Sequence, residues 1–223
     1  MTGTAVQREP LLRRGLNLER LTVGWNAVEA VVAIVAGYMA GSVALVGFGL
    51  DSVIESISGV ALYRRLSSEL RDGGGAGPAE ARERRALYFV GVSFFLIAAY
   101  VLYEAASTLW ERRAPEHTTV GIVLAAVSLL VMPLLGWGKL RTARALNSRA
   151  LEADSKETFV CAYLSFALLL GLALNTLLGW WWADPAAALA MLPLIVYEGH
   201  EALEQARGEQ DNSRGAGRNR TGE

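Results

Sequence analysis

The chain has 223 residues, 52% hydrophobic and 19% charged, with a formal net charge of -1. That balance gives no electrostatic basis for binding nucleic acid, and a single cysteine, Cys161, excludes an intrachain disulfide. His117 and His200 are the only histidines, too few for a His-rich metal-loading loop. The charges crowd between apolar blocks, which is the pattern of an integral membrane protein.

In chain order, residues 1–20 form a polar arm with Arg8, Arg13, Arg14 and Arg20 and no small-residue cleavage site, so the first apolar block reads as a retained anchor. Apolar spans are predicted at Leu21–Ala40, Val43–Tyr63, Ala86–Leu109, Thr118–Trp137, Thr158–Gly179 and Ala183–Tyr197. About 20 residues at 1.5 Å per residue cross a hydrocarbon core of ~30 Å. The sixth span is short, leans on Trp180, Trp181 and Trp182 at one flank, and carries Pro193, which predicts a kink. The segment Asp72-Gly73-Gly74-Gly75-Ala76-Gly77-Pro78 has the composition of a flexible linker. Residues 21–205 thus form the predicted membrane domain, and 206–223 a polar tail without order or a fold of its own.

Lys and Arg set the expected orientation. They gather in the N-terminal arm, in the second connection (Arg64 to Arg85), in the fourth (Lys139 to Lys156) and in the tail, whereas the opposite side holds only Arg112 and Arg113. The positive-inside rule then puts both termini in the cytoplasm, and an even number of spans agrees in putting them on one side. The expected fold is all-α: an integral membrane six-helix bundle with no C-terminal soluble domain, most simply in the plasma (inner) membrane. Gly37 and Gly41 allow a close helix approach, read first as packing within the monomer, although a homodimer through membrane spans is compatible.

Acidic residues lie inside this apolar framework. Asp51 and Glu55, at i and i+4, share one face of span two. A carboxylate near mid-bilayer costs roughly 2.5–3.5 kcal/mol on insertion scales. No predicted span contains an interior basic residue to pair with them, so cation binding is the favoured reading over protonated carboxyls bonded to Ser52 or Ser56. If the fifth helix continues upstream of Thr158, then Asp154, Glu157 and Cys161 form one stripe. Asp154 and Glu157 also fit a charged helix end, and Cys161 a small buried hydrophobe. Counting from span ends puts Glu29 at the depth of Glu55, where it could complete the site, carry protons or simply hold a hydrogen bond. Glu104, Asp184, Glu198 and His200 read as interfacial; Asn26 and Asn175 read as interhelical hydrogen-bonding residues.

Gly41-Ser42-Val43-Ala44-Leu45, followed by Asp51-Ser52-Val53-Ile54-Glu55, resembles span two of the cation diffusion facilitator (cation efflux) family. There a Gly-Ser-x-Ala-Leu segment precedes an Asp-x-x-x-Asp pair. Ala153-Asp154 and the polar helix start after it resemble span five, and the likeness extends over about residues 15–205. The resemblance implies a divalent transition-metal ion held between spans two and five and exported against protons. Its span-two pair falls on Asp51 and Glu55, its span-five pair on Glu157 and Cys161. Glu55, Glu157 and Cys161 depart from the family's usual ligands, so the metal is not implied. The family's C-terminal cytoplasmic metal-binding domain is expected to be missing, as in truncated members.

Oxygen and sulfur ligands together favour Zn²⁺ as the transported ion, with Co²⁺, Fe²⁺, Mn²⁺ and Cd²⁺ open. Thiolate disfavours Mg²⁺ and Ca²⁺. Such ligands bind metal only when deprotonated, so metal and protons exchange at the same atoms. No ATP-binding motif is present, and a secondary antiporter without a prosthetic group is the economical reading; its partners are the bilayer, the metal ions and protons. A membrane-embedded metalloenzyme would need an open coordination position and a general base near a substrate pocket, and the sequence offers no His-Glu-x-x-His and no nucleophile constellation. A non-transporting metal sensor or scaffold is the other alternative.

Overall fold

The structure is a computed structural model that describes residues 3–72 and 79–220, with side chains described within 8–71 and 87–207. Six helices follow one another: α1 Gly3–Ala40, α2 Val43–Asp72, α3 Ala79–Glu111, α4 Thr119–Leu146, α5 Arg149–Leu178 and α6 Ala183–Arg220. No strand occurs among the described residues. Helices α1 to α5 are each long and apolar enough to cross a membrane. Their outward faces expose Val31, Val35, Leu96, Leu130, Leu134 and Phe166, a surface that suits lipid rather than water. The protein is a multi-pass, all-α integral membrane bundle.

Helix α6 falls short of the others in hydropathy because acidic residues resume at Glu198 and Glu201, soon after its apolar part. It is nonetheless packed against α3 and α5 through Ala187, Ala188, Met191 and Ile195. Pro193 lies inside α6 without ending it, and the helix runs on to Arg220, beyond the predicted start of the polar tail. The predicted linker falls at residues 73–78, outside the described residues.

Short links force sequential helices to run antiparallel. Gly41 turns the chain between α1 and α2 at φ +64°, in the left-handed region where a Cβ would be strained. Asn147 and Gly179 end α4 and α5 in the same conformation. Ser148 then caps α5 by accepting from Leu151 N. Helix α5 therefore begins nine residues earlier than the span predicted from Thr158, since its first turns are polar but well capped.

Helices α1, α2, α4 and α5 pack around a shared core that includes Leu45, Phe48, Met132, Leu164 and Leu168; α3 and α6 pair alongside and close onto α2 and α5. A second cluster, Leu12, Leu16, Leu62, Leu66, Leu146 and Leu151, seals the end nearer the chain termini. The α1–α2 approach depends on glycine. A Cβ on Gly37 would lie 2.8 Å from Val46 N, and one on Gly49 2.9 Å from Ile34 N. Gly37 is thus covered by α2 within the monomer and offers no face to a second copy.

Asp184 corrects its expected interfacial place. It is fully buried in the first turn of α6, where its carboxylate accepts from Ser42 Oγ, Val43 N (2.9 Å) and Ala44 N (3.4 Å). A carboxylate from one helix thereby caps the N-terminus of another, satisfying N–H groups that have no partner within α2.

Candidate metal site

Asp51 stands about two turns into α2, and Glu55 follows one turn later on the same face. Cys161, on α5, faces them. One oxygen from each carboxylate and the Cys161 sulfur all lie within 4.8 Å of one another. Asp51 is 2% exposed and Cys161 0%, while Glu55 is half-buried. Asp51 Oδ2 is buried with no hydrogen-bond partner, a costly condition for an acceptor shut away from water. No described ion pair involves Asp51 or Glu55.

A small cavity of about 10 Å³, room for roughly one water-sized particle, opens beside the group. Asp51, Glu55 and Ser58 of α2, Glu157 of α5 and Glu198 of α6 line it, with Val90 and Phe94 of α3 as its apolar wall. Glu157 sits one turn from Cys161, outside the three-atom group, and accepts a hydrogen bond from Ser58 Oγ at 3.3 Å. Glu198 is buried, 6% exposed, which corrects its interfacial reading. Ending the sixth span at Tyr197 left it at a solvated end, but α6 runs on past it and packs it against α2, α3 and α5.

Helix α1 supports the group from behind. Asn26 Nδ2 donates to Glu55 Oε2 at 2.9 Å. Glu29 accepts from Ser128 Oγ of α4, and from Ser52 Oγ at 3.4 Å. Trp25 Nε1 donates to Ser128 at 3.3 Å. Asn26, not Glu29, is thus level with Glu55. The expected matching depth was displaced by about one turn, because span ends are a poor ruler for helices that run past them. Asn175 of α5 does not bond a neighbouring helix as expected but donates to Pro115 O, in the loop between α3 and α4, at 3.1 Å. His117 is exposed, and His200 lies 3.7 Å from Glu204 on the surface.

Asp154 does not join the group. Lys139 of α4 holds it with a contact of 2.5 Å. Lys139, two residues past the predicted end of the fourth span, is 0% exposed, so the bundle does bury a basic residue although no predicted span contained one. It stood at the edge of the fourth span in a basic connection, where nothing local marked it as buried.

Oxygen, oxygen and sulfur donors without a basic partner suit a cation of intermediate softness. Tetrahedral bonds of about 2.0–2.3 Å put ligand atoms roughly 3.3–3.8 Å apart, so closing on such an ion asks for shifts of about 1 Å.

Residues 84–207 match the cation efflux transmembrane domain family. An uncharacterized transporter from Synechocystis is 26% identical over 193 residues, 83% of this chain and 60% of that protein. The cation-efflux pump FieF of Shewanella oneidensis is 24% identical over 192 residues, 83% of this chain and 62% of the pump. A cadmium, cobalt and zinc/H(+)-K(+) antiporter of Bacillus velezensis is 26% identical over 117 residues, 52% of this chain and 37% of the antiporter. The chain spans about 60% of the length of the first two. With more than half of its residues matching the domain, including the helices that carry Cys161, Glu157 and Glu198, the chain belongs to the cation efflux family.

Proposed function

We propose that this protein exports divalent transition-metal ions, Zn²⁺ foremost, from the cytoplasm in exchange for protons. Asp51, Glu55 and Cys161 are the metal ligands, and Glu157 supplies the fourth position or the proton route across the cavity. Glu29 braces the site from α1 through Ser52 and Ser128. The observation that carries this reading is the unpartnered Asp51 Oδ2 within a group of three convergent ligand atoms. Buried carboxylates without a basic partner are expensive in a bilayer, and a divalent cation compensates them directly. The names of the relatives, a cation-efflux pump and a cadmium, cobalt and zinc antiporter, support the substrate class and the exchange.

Exchange follows from the ligand chemistry. Carboxylic acids and a thiol must lose their protons before they bind metal, so loading at one face releases protons and reprotonation at the other releases metal. The test is purified protein in liposomes, with Zn²⁺, Cd²⁺, Co²⁺, Fe²⁺ and Mn²⁺ offered separately and flux read with and without a proton gradient. Gradient-driven Zn²⁺ flux is expected. Metal binding with no flux under any gradient would make the protein a sensor instead.

A further inference from the structure

Lys139 takes no part in the proposed exchange, yet it is the most deeply buried charge pairing in the bundle's described part. Its ammonium lies 2.5 Å from Asp154 Oδ2 of α5, and 3.1 Å and 3.2 Å from the two carboxylate oxygens of Glu19 of α1. Glu19 and Lys139 are both 0% exposed, and Asp154 is 8% exposed. Two carboxyl groups from different helices face one ammonium. Glu19 Oε1 is moreover left without a well-directed donor. Carboxylates from two helices converging on one point form the donor set of a divalent cation site. Here an ammonium on a covalent stem fills that point.

We propose that Lys139 is a tethered cation: it occupies a second carboxylate site and keeps divalent metal out of it. The tether gives the ammonium a high effective concentration at this place. A metal ion entering would also have to strand that charge in an apolar interior, which is costly. The pair Glu19 and Asp154 lies toward the terminal end of the bundle, with Asp154 one turn before Glu157 on α5. Metal leaving the cavity along α5 would otherwise meet a competing sink there. The assignment does not depend on Asp51, Glu55 and Cys161 being the transport site.

The test removes that group first. Full-length protein carrying Asp51→Asn, Glu55→Gln and Cys161→Ser is the parent, and Lys139→Ala and, separately, Lys139→Gln are added to it. Thermal unfolding in detergent is read with no metal, with Mn²⁺ alone and with Zn²⁺ alone. The parent should show no metal-dependent shift. Each lysine variant should start at a lower Tm and regain several degrees with metal, and adding Glu19→Gln should cancel the gain. Variants that metal does not stabilise, or that cannot be recovered folded even with metal present, would make Lys139 an ordinary structural ion pair. A gain that survives Glu19→Gln, or an equal gain in the parent, would overturn the proposal as well.

Discussion

Asp51 carries an oxygen with no donor in reach, and Glu55 is held by the amide of Asn26 and by the Cys161 thiol, with no basic group beside it. Replacing either carboxylate by its amide keeps the shape and removes an anionic ligand. Asp51→Asn and Glu55→Gln are therefore expected to reduce Zn²⁺ flux to background while the protein still inserts and unfolds cooperatively. Flux in proteoliposomes beside a thermal unfolding curve checks this, and near-normal flux in both variants would sink the assignment. Cys161 is the one soft donor in the group. Cys161→Ser should shift relative transport from Zn²⁺ and Cd²⁺ toward Mn²⁺. Unchanged ratios across the metal panel would return Cys161 to plain packing.

At the level of helices, α2 is fixed from both sides. Asp184 of α6 caps its first turn, and glycines let α1 lie against its flank. Losing a capping carboxylate costs about 0.5–2 kcal/mol. Asp184→Ala should therefore lower Tm measurably, with Asp184→Asn, which keeps an acceptor, intermediate between it and the wild type. Gly49 is two residues from Asp51, and a methyl there meets the Ile34 backbone at 2.9 Å. Overpacking of this kind costs typically 1–3 kcal/mol, and here it also displaces the turn that carries a ligand. Gly49→Ala should lose both stability and flux. Gly24→Ala, where a Cβ meets nothing within 4 Å, is the matched control and should lose neither.

For the whole molecule, linkage fixes the sign of the pH effect. If n ligand protons leave when metal binds, affinity rises up to 10ⁿ-fold per pH unit while those groups are protonated. Zn²⁺ should bind more tightly as pH rises, and proton release into weak buffer during binding should report n. Affinity that is flat with pH would remove the coupling. The membrane helices and the Asp51–Glu55 face were readable in the sequence, because charge inside an apolar run stands out and helical period says which way it points. Cys161 was readable for the second reason only. Lys139, Asp184 and Glu198 were misread together. Each lies next to a span end, where a charge is ordinarily solvated. Its burial is decided by a helix far away in sequence: α1 for Lys139, α2 for Asp184, and α2 with α5 for Glu198.

The two-residue link at Gly41 and Ser42 bears on how this protein enters a membrane at all. It is too short to let α1 and α2 insert independently, so they must go in as a hairpin. Within that hairpin two of the acidic groups already find partners: Ser52 reaches Glu29, and Asn26 reaches Glu55. The translocation machinery is then offered a pair of helices in which Glu29 and Glu55 are already hydrogen-bonded across the seam, rather than two segments each showing those carboxylates to lipid. Lengthening the link with a flexible Gly-Ser insert should lower insertion of residues 1–72 in a glycosylation-reporter assay, and Asn26→Leu with Ser52→Ala should lower it even with the native link. Equal insertion of all forms would mean that the carboxylates enter without each other's help.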